Sequence, residues 1–295
     1  MNELVAQTQE YRNSLISYVY KIIGSQEEAK DIVQETIIRF ISKKHDEIEN
    51  TKAWLFKVAT NLALDFLRSA KSKREVYIGT WLPEPYIEEK AHQNNEMELD
   101  ESLSMALLVL MEKLSIKERI AYILHDLFEF KHKEIADILQ TSTQNSRQLN
   151  SRANKKLQTK KKKYTPTKEE HIKLTNSFLK ALKEGDFEEL RNMFKEEVSL
   201  YSDGGGKAIA ARKVLYGDND YISKFLVKVT KHLFEASNKN DVEISTIWFN
   251  GSLGVILKEN GKVITSYSFE IKDNMILNIF ALRNPDKLKY FDSIK

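Results

Sequence analysis

Catalysis in this chain would need an acid or base and a polarising donor in a dry pocket, and the residue types exist: Asp203, Tyr201, Tyr267, His232 and Trp248. The sequence pairs none of them, and a buried Tyr or Trp is more often core with one satisfied polar tip. Asp203-Gly204-Gly205-Gly206-Lys207 offers a phosphate cradle but lacks the full phosphate-loop pattern. Glycines at this density read better as a turn that lets backbone approach a partner closely. The six His are scattered, and His125 and His132 have no partners at ligand spacing. There is no cysteine, which removes disulfides, thiolate zinc sites and cysteine nucleophiles. No catalytic centre, metal or cofactor is expected.

Recognition chemistry is better represented. From Thr141 to Tyr164 there are eight Lys or Arg and no acid, a pattern suited to a polyanion. A helix through about Lys160 puts Ser146, Leu149, Ala153 and Leu157 on an inner face and Gln144, Arg147, Gln148, Ser151 and Lys155 on the outer one. The outer side chains can donate to base edges in a major groove, while Arg152, Lys156 and Lys160 flank them at phosphate height. A short helix with Ile135, Ile138 and Leu139 and a turn at Gln140-Thr141-Ser142 come just before. Together these form a helix-turn-helix pattern. Two further surfaces are polar stripes on apolar helices. Trp54, Lys57, Asn61, Asp65 and Arg68 make an aromatic–polar stripe next to the charged loop 43–50, suited to stacking on and reading unpaired bases. Asp31, Gln34 and Glu35 make an acidic one.

The elements that must position these groups divide the chain. Its 295 residues favour two or three domains, and 41% hydrophobic with 30% charged residues fits packed cores in a soluble protein. The net charge of +3 says little. No apolar run nears the ~20 residues a membrane span needs, and Met1-Asn2-Glu3-Leu4 does not open a signal peptide, so a cytoplasmic protein without a membrane partner is expected. Residues 1–75 read as helical, with a capping box at Ser25 and Glu28 and a helix from about Thr51 to Ala70. Residues 76–100 read as a linker: Gly79, Pro83 and Pro85 break the helix, and seven acids fall between Leu82 and Glu101. The linker nonetheless carries Tyr77, Trp81, Leu82 and Tyr86, large apolar groups a plain spacer does not need. Residues 101–163 are helical again, with a second capping box at Ser115 and Glu118. From Pro166 to residue 295, helices precede strands at Val242–Phe249, Gly254–Lys258, Val263–Ile271 and Met275–Leu282, with a hairpin turn at Asn260-Gly261, which argues an α+β domain. Asn284-Pro285 reads as a strand end.

Three runs carry a family resemblance in order and spacing: Asp31-Ile-Val-Gln-Glu-Thr-Ile-Ile-Arg-Phe40, Ala53-Trp-Leu-Phe-Lys-Val-Ala-Thr-Asn-Leu-Ala-Leu-Asp-Phe-Leu-Arg68, and Glu134-Ile-Ala-Asp-Ile-Leu139 with the helix after it. Residues 1–163 thereby resemble the extracytoplasmic-function sigma factors of bacterial RNA polymerase. Trp81-Leu82-Pro83-Glu84-Pro85, Asp203–Lys207 and Asn284-Pro285-Asp286-Lys287-Leu288 resemble the marks of a subgroup with a fused C-terminal SnoaL-like domain of the nuclear-transport-factor-2 fold. The implied architecture is multidomain. Two all-α DNA-binding domains, a sigma region 2 bundle (1–75) and a sigma region 4 helix-turn-helix (101–163), are followed by an α+β SnoaL-like cone (166–295). The lysine-rich DNA-facing helix, with Asn150 and Asn154 among its basic residues, departs from the family and leaves promoter preference open.

The resemblance also implies roles. Asp31, Gln34 and Glu35 would dock on the clamp helices of the largest subunit of core polymerase. The 51–70 helix with loop 43–50 would recognise and melt the −10 element of promoter DNA, and the helix-turn-helix would read the −35 element. Asp203–Lys207 is expected to pack against Trp81–Pro85 and fix the DNA-binding domains in one arrangement, so that no separate anti-sigma factor is needed. An unknown small ligand in the C-terminal pocket stays open. The alternatives are a helix-turn-helix regulator that never binds core polymerase, and a tail that senses or converts a small molecule.

Overall fold

The computed structural model describes residues 2–43, 48–75, 77–87, 99–158, 166–217, 219–236 and 242–293. It divides into two compact units, one built from Met1–Val76 with Leu108–Lys162 and the other from Tyr77–Leu107 with Lys163–Lys295. Loop residues 44–47, linker residues 88–98 and the basic run 159–165 lie outside the described residues.

The first unit is all helix. α1 (Asn2–Ile23), α2 (Gln26–Ser42) and α3 (Thr51–Glu75) form a bundle whose core takes Leu15, Tyr18, Val19 and Ile22 from α1, Ala29, Val33 and Phe40 from α2, and Leu55, Phe56, Ala59 and Ala63 from α3. The Tyr18 hydroxyl and Thr60 Oγ1 are 2.6 Å apart in its centre. Ser25 caps α2 by accepting from the Glu28 N–H at 3.4 Å, half of the expected capping box.

After α4 (Met105–Met111), α5 (Ile116–Tyr122) opens on a complete capping box between Ser115 and Glu118. It runs into a π-helical turn, Ile123–Leu127, closed by Phe128 N–H on the Ile123 carbonyl at 3.1 Å. That turn and the left-handed Glu129 present two rings to the bundle. Phe128 meets Tyr18 and Phe56 edge-on, and Phe130 meets Phe56 at 4.9 Å. Arg119 reinforces the joint from a buried position, donating to the carbonyls of Ile22 at 2.8 Å and Met111 at 3.1 Å. α6 (His132–Leu139) and α7 (Thr143–Gln158) complete the unit, with left-handed Gln140 ending α6.

The second unit is α+β. α8 (Lys168–Glu184), α9 (Phe187–Met193) and α10 (Asn219–Ala236) accompany a six-stranded sheet ordered β2-β1-β6-β5-β4-β3. The strands are β1 (Phe194–Asp203), β2 (Leu215–Tyr216), β3 (Val242–Phe249), β4 (Ser252–Glu259), β5 (Lys262–Lys272) and β6 (Met275–Leu282). β1 and β6 are parallel and the other neighbours antiparallel. Register shifts in three of the ladders bend the sheet into the curved wall of a cone. Three two-residue hairpins hold β3 to β6 in sequence: Asn250-Gly251, Asn260-Gly261 and Asp273-Asn274, each with both φ angles positive, the primed turn that matches strand twist. The concave face buries Val255, Leu257, Tyr267, Phe269, Ile276, Ile279 and Ala281 against Phe178 and Leu182 of α8 and Leu226 of α10. Asn284-Pro285 starts a helix rather than ending a strand: β6 stops at Leu282, and the Asn284 side chain caps α11 (Pro285–Leu288), with Pro285 in the first turn.

Candidate functional site

In the first unit the outer residues of α7, Gln144, Arg147, Gln148, Ser151, Arg152 and Lys155, are all exposed, and Ser146, Leu149, Ala153 and Leu157 are buried. The basic side chains are not all free. Glu118, its carboxylate buried, takes Lys156 Nζ at 2.7 Å and lies 3.7 Å from Arg152 Nε. Burial works against its charge, but Lys156 and the Ser115 cap outweigh that and hold the Glu118 carboxyl below the usual carboxylate range. Asn154 donates to Asp126 at 3.4 Å.

On α3, Asn61, Asp65 and Arg68 are exposed, Lys57 is half-buried, and Arg68 pairs with Asp65 at 2.9 Å. Trp54 is half-buried, its ring 5.5 Å from Phe40 and under the Lys43 ammonium, so its stacking face is partly occupied. On α2, Asp31 and Gln34 are exposed and Glu35 pairs with Arg39 at 2.8 Å. Ile38, 49% exposed, lies one turn on from Gln34 and Glu35, which adds an apolar element to that stripe.

The second unit gathers most of the remaining candidates at one place. Asp203, fully buried at the end of β1, accepts from the Leu82 N–H at 2.9 Å, the Tyr77 hydroxyl at 2.5 Å and the Gly205 N–H at 3.0 Å. Lys287 closes the arrangement: its ammonium donates to Asp203 Oδ2 at 2.8 Å and to the Leu82 carbonyl at 2.6 Å, with the rings of Trp81 and Tyr77 4.4 and 4.9 Å away. Both charges are shielded, the side chains being 7% and 0% exposed, and each is satisfied by several bonds, the condition a buried ion pair needs. Burial, followed by the Asp203 carboxylate, pushes the Tyr77 phenol well above its usual pKa, so it stays a donor. Asn284 donates to that same phenol oxygen at 2.9 Å, and Lys207 pairs with Asp286 at 2.5 Å.

The glycines are there for room. A Cβ on Gly204 would collide with the Ala208 carbonyl, one on Gly205 with the Asn284 carboxamide, and one on Gly206 would meet Ile78 at 3.0 Å; Gly205 and Gly206 also have φ of +59° and +71°. The connector is thus bedded on this unit. Leu82, Pro83, Pro85 and Ile87 are buried and Trp81, Glu84 and Tyr86 half-buried. A second pin lies further along: Asn250 donates its backbone N–H to the Tyr86 carbonyl at 2.8 Å and its side-chain N–H to the Leu103 carbonyl at 3.2 Å, while Asp100 N–H donates to Gly251 at 2.9 Å. Lys287, Tyr77 and Asn250 are functional neighbours that the sequence reading did not place. For Lys287 the available signal was its presence in the Asn284–Leu288 run.

Residues 8–73 match sigma-70 region 2 and residues 104–157 match sigma-70 region 4. The protein is therefore built as an RNA polymerase sigma factor. SigM of Bacillus subtilis, an ECF RNA polymerase sigma factor, is 30% identical over 154 residues, spanning 50% of this chain and 89% of SigM. The ECF sigma factor SigJ of Mycobacterium tuberculosis is 28% identical over 289 residues, 96% of this chain and 92% of SigJ. The crystal structure of SigJ covers 97% of this chain with a TM-score of 0.75 at 27% identity, so the similarity includes the C-terminal unit. The chain belongs to the extracytoplasmic-function sigma factors, proteins that direct RNA polymerase to promoters.

Proposed function

We propose that this sigma factor is controlled in cis by its C-terminal unit, which holds the interdomain connector and so keeps the two DNA-binding domains from separating. In this reading residues 1–75 bind the clamp helices of core polymerase through Asp31, Gln34 and Glu35 and the −10 element through the α3 stripe. Residues 101–163 bind the −35 element through α7, and residues 166–295 regulate.

The observation that carries the reading is the pinned connector, and distances give it force. The −10 and −35 elements are about 25 base pairs apart by their own numbering, ~85 Å along B-form DNA. In the first unit α1 and α3 pack directly on the α5–α6 segment through Tyr18, Phe56, Phe128 and Phe130, and a folded body of that size has a radius of gyration of only ~14 Å. The packed unit cannot span both elements. Tyr77–Leu107 would reach ~100 Å if fully extended, enough for the span, but pinned at Tyr77, Leu82, Tyr86, Asp100 and Leu103 it cannot extend. Docking of the connector is accordingly assigned to the resting state, and control in cis stands in place of a separate anti-sigma factor.

The C-terminal unit acts without chemistry of its own in this reading. Asp203 is spent on four donors, Tyr201 stacks on Phe280 apart from the core that holds Tyr267, and His232 is exposed, so among the described residues these candidates do not converge as an acid–base pair. The test is run-off transcription by core polymerase with the wild-type chain or the Asp203→Ala/Lys287→Ala variant. Greater promoter-dependent output at limiting protein is expected from the variant. Equal output, with limited proteolysis showing the connector released, would sink the regulatory claim.

A further inference from the structure

Arg283 follows β6, and the period-two alternation carries it to the face on which Ile279 and Ala281 enter the core of the cone. It is 8% exposed, and among the described residues no carboxylate pairs with it. Its Nη1 donates to the Ile209 carbonyl, whereas Nε is buried with no acceptor. Asp203 is bonded to Arg283 through the backbone, Arg283 N–H to the Asp203 carbonyl at 2.7 Å, but its carboxylate is filled by Lys287 and the connector. Two hydroxyls belong to the same neighbourhood. Tyr267 and Thr230 are each 1% exposed; Thr230 stands one turn after Leu226 on α10, and its hydroxyl is buried without a partner among the described residues. β5 and β6 pair Tyr267 with Ala281, which puts Tyr267 diagonally across from Arg283 on one face of the sheet, and burial raises the Tyr267 phenol while the Arg283 charge partly opposes that.

A guanidinium stays charged at any accessible pH, and one held in an apolar core without an anion is costly. The surroundings specify the missing partner. One cation calls for one negative charge, so a monoanion fits where a phosphate dianion would leave charge unmatched. The two hydroxyls can donate to oxygens that the Arg283 Nε–H also approaches. Tyr267 itself lies in an apolar core with Phe178, Phe269 and Leu226.

We propose that Arg283, Thr230 and Tyr267 form a binding site for the carboxylate of a small organic acid whose apolar body lies in the core of the cone. The site has a direct line to the connector clamp. Ile209, which takes Arg283 Nη1, lies in the same loop as Gly204–Lys207, and Arg212 in that loop has its carbonyl close to Gly79 of the connector. An acid that draws Arg283 inward would compete with the Ile209 contact and bias the loop that beds the connector. This link rests on the cis-control reading; the binding site does not.

The experiment is thermal unfolding of the full chain with benzoate, its neutral counterpart benzyl alcohol, or inorganic phosphate, for wild type, Arg283→Met and Thr230→Val. Benzoate is expected to raise the wild-type Tm progressively with concentration, beyond benzyl alcohol and phosphate. The shift should vanish in Arg283→Met, which should fold because it removes an unmatched buried charge, and should shrink in Thr230→Val. No benzoate shift beyond that of benzyl alcohol, a larger shift with phosphate, or an undiminished benzoate shift in Arg283→Met would each overturn the site. Transcription with and without benzoate then reads the link alone: binding without change in output would fault the coupling and leave the site standing.

Discussion

At the scale of residues, the Asp203–Lys287 pair is the point on which the connector hangs. Deleting one partner of a buried pair leaves the other uncompensated, at a cost of about 3–5 kcal/mol. Asp203→Ala should therefore lower the stability of the C-terminal unit by about that amount in urea denaturation, whereas adding Lys287→Met should recover only the part due to the unpaired ammonium, because the Leu82 N–H, the Tyr77 hydroxyl and the Gly205 N–H still lack their acceptor. His171 gives a pH signature in the same unit. Its Nε2–H donates to the Leu253 carbonyl at 2.9 Å from a buried position, and burial pushes its pKa below the usual 6.5. The unfolded chain then binds the proton more readily. The stability His171 contributes is complete above pH 6.5 and declines as pH falls toward its lowered folded value. Melting temperature should drop from pH 7 toward pH 5 more steeply in wild type than in His171→Gln; parallel curves would show that His171 does not titrate on unfolding.

At the scale of elements, the helix we propose reads DNA, α7, is held from behind by Glu118 through Lys156 and Arg152. Arg152→Ala should weaken duplex binding nearly uniformly across sequences and reduce the salt slope by about one, whereas Arg147→Ala should relax discrimination at a single base pair. Fluorescence anisotropy against promoter variants at several salt concentrations separates the two. The helices and hairpins were legible because their signals are local. Ser115 with Glu118 announced α5, and β3 and β6 fall where the alternation put them. Asn250-Gly251 and Asp273-Asn274 carry the same turn chemistry as Asn260-Gly261, and only the last was singled out. β2 was missed because two residues leave no period to detect. The order of the connector was illegible for a different reason: nothing within Tyr77–Ile87 repeats, and its conformation is imposed by donors and acceptors more than a hundred residues away, at Asp203, Asn250 and Lys287. The apolar excess of Trp81 and Leu82 hints at a partner, and the glycine run at a close approach; the lysine that binds them together is marked only by its place in the Asn284–Leu288 run.

At the scale of the whole molecule, we propose a sigma factor that rests with its two DNA-binding domains packed together while its third domain keeps the connector short. Gly205→Val tests the clamp without touching a charge: the new side chain would collide with Asn284 and must also adopt a φ of +59°, so protease sensitivity near Trp81 should rise. The most direct test is a distance. Because the sequence has no cysteine, a pair introduced at the exposed positions Asn13 and Asp137 can carry a donor and acceptor dye without background labelling. Energy transfer between them should be high in the free protein, lower in the Asp203→Ala/Lys287→Ala variant, and lowest with core polymerase and promoter DNA, as the domains part toward the ~85 Å that the two promoter elements require. Transfer that stays the same in the free protein, the variant and the promoter complex would contradict the account.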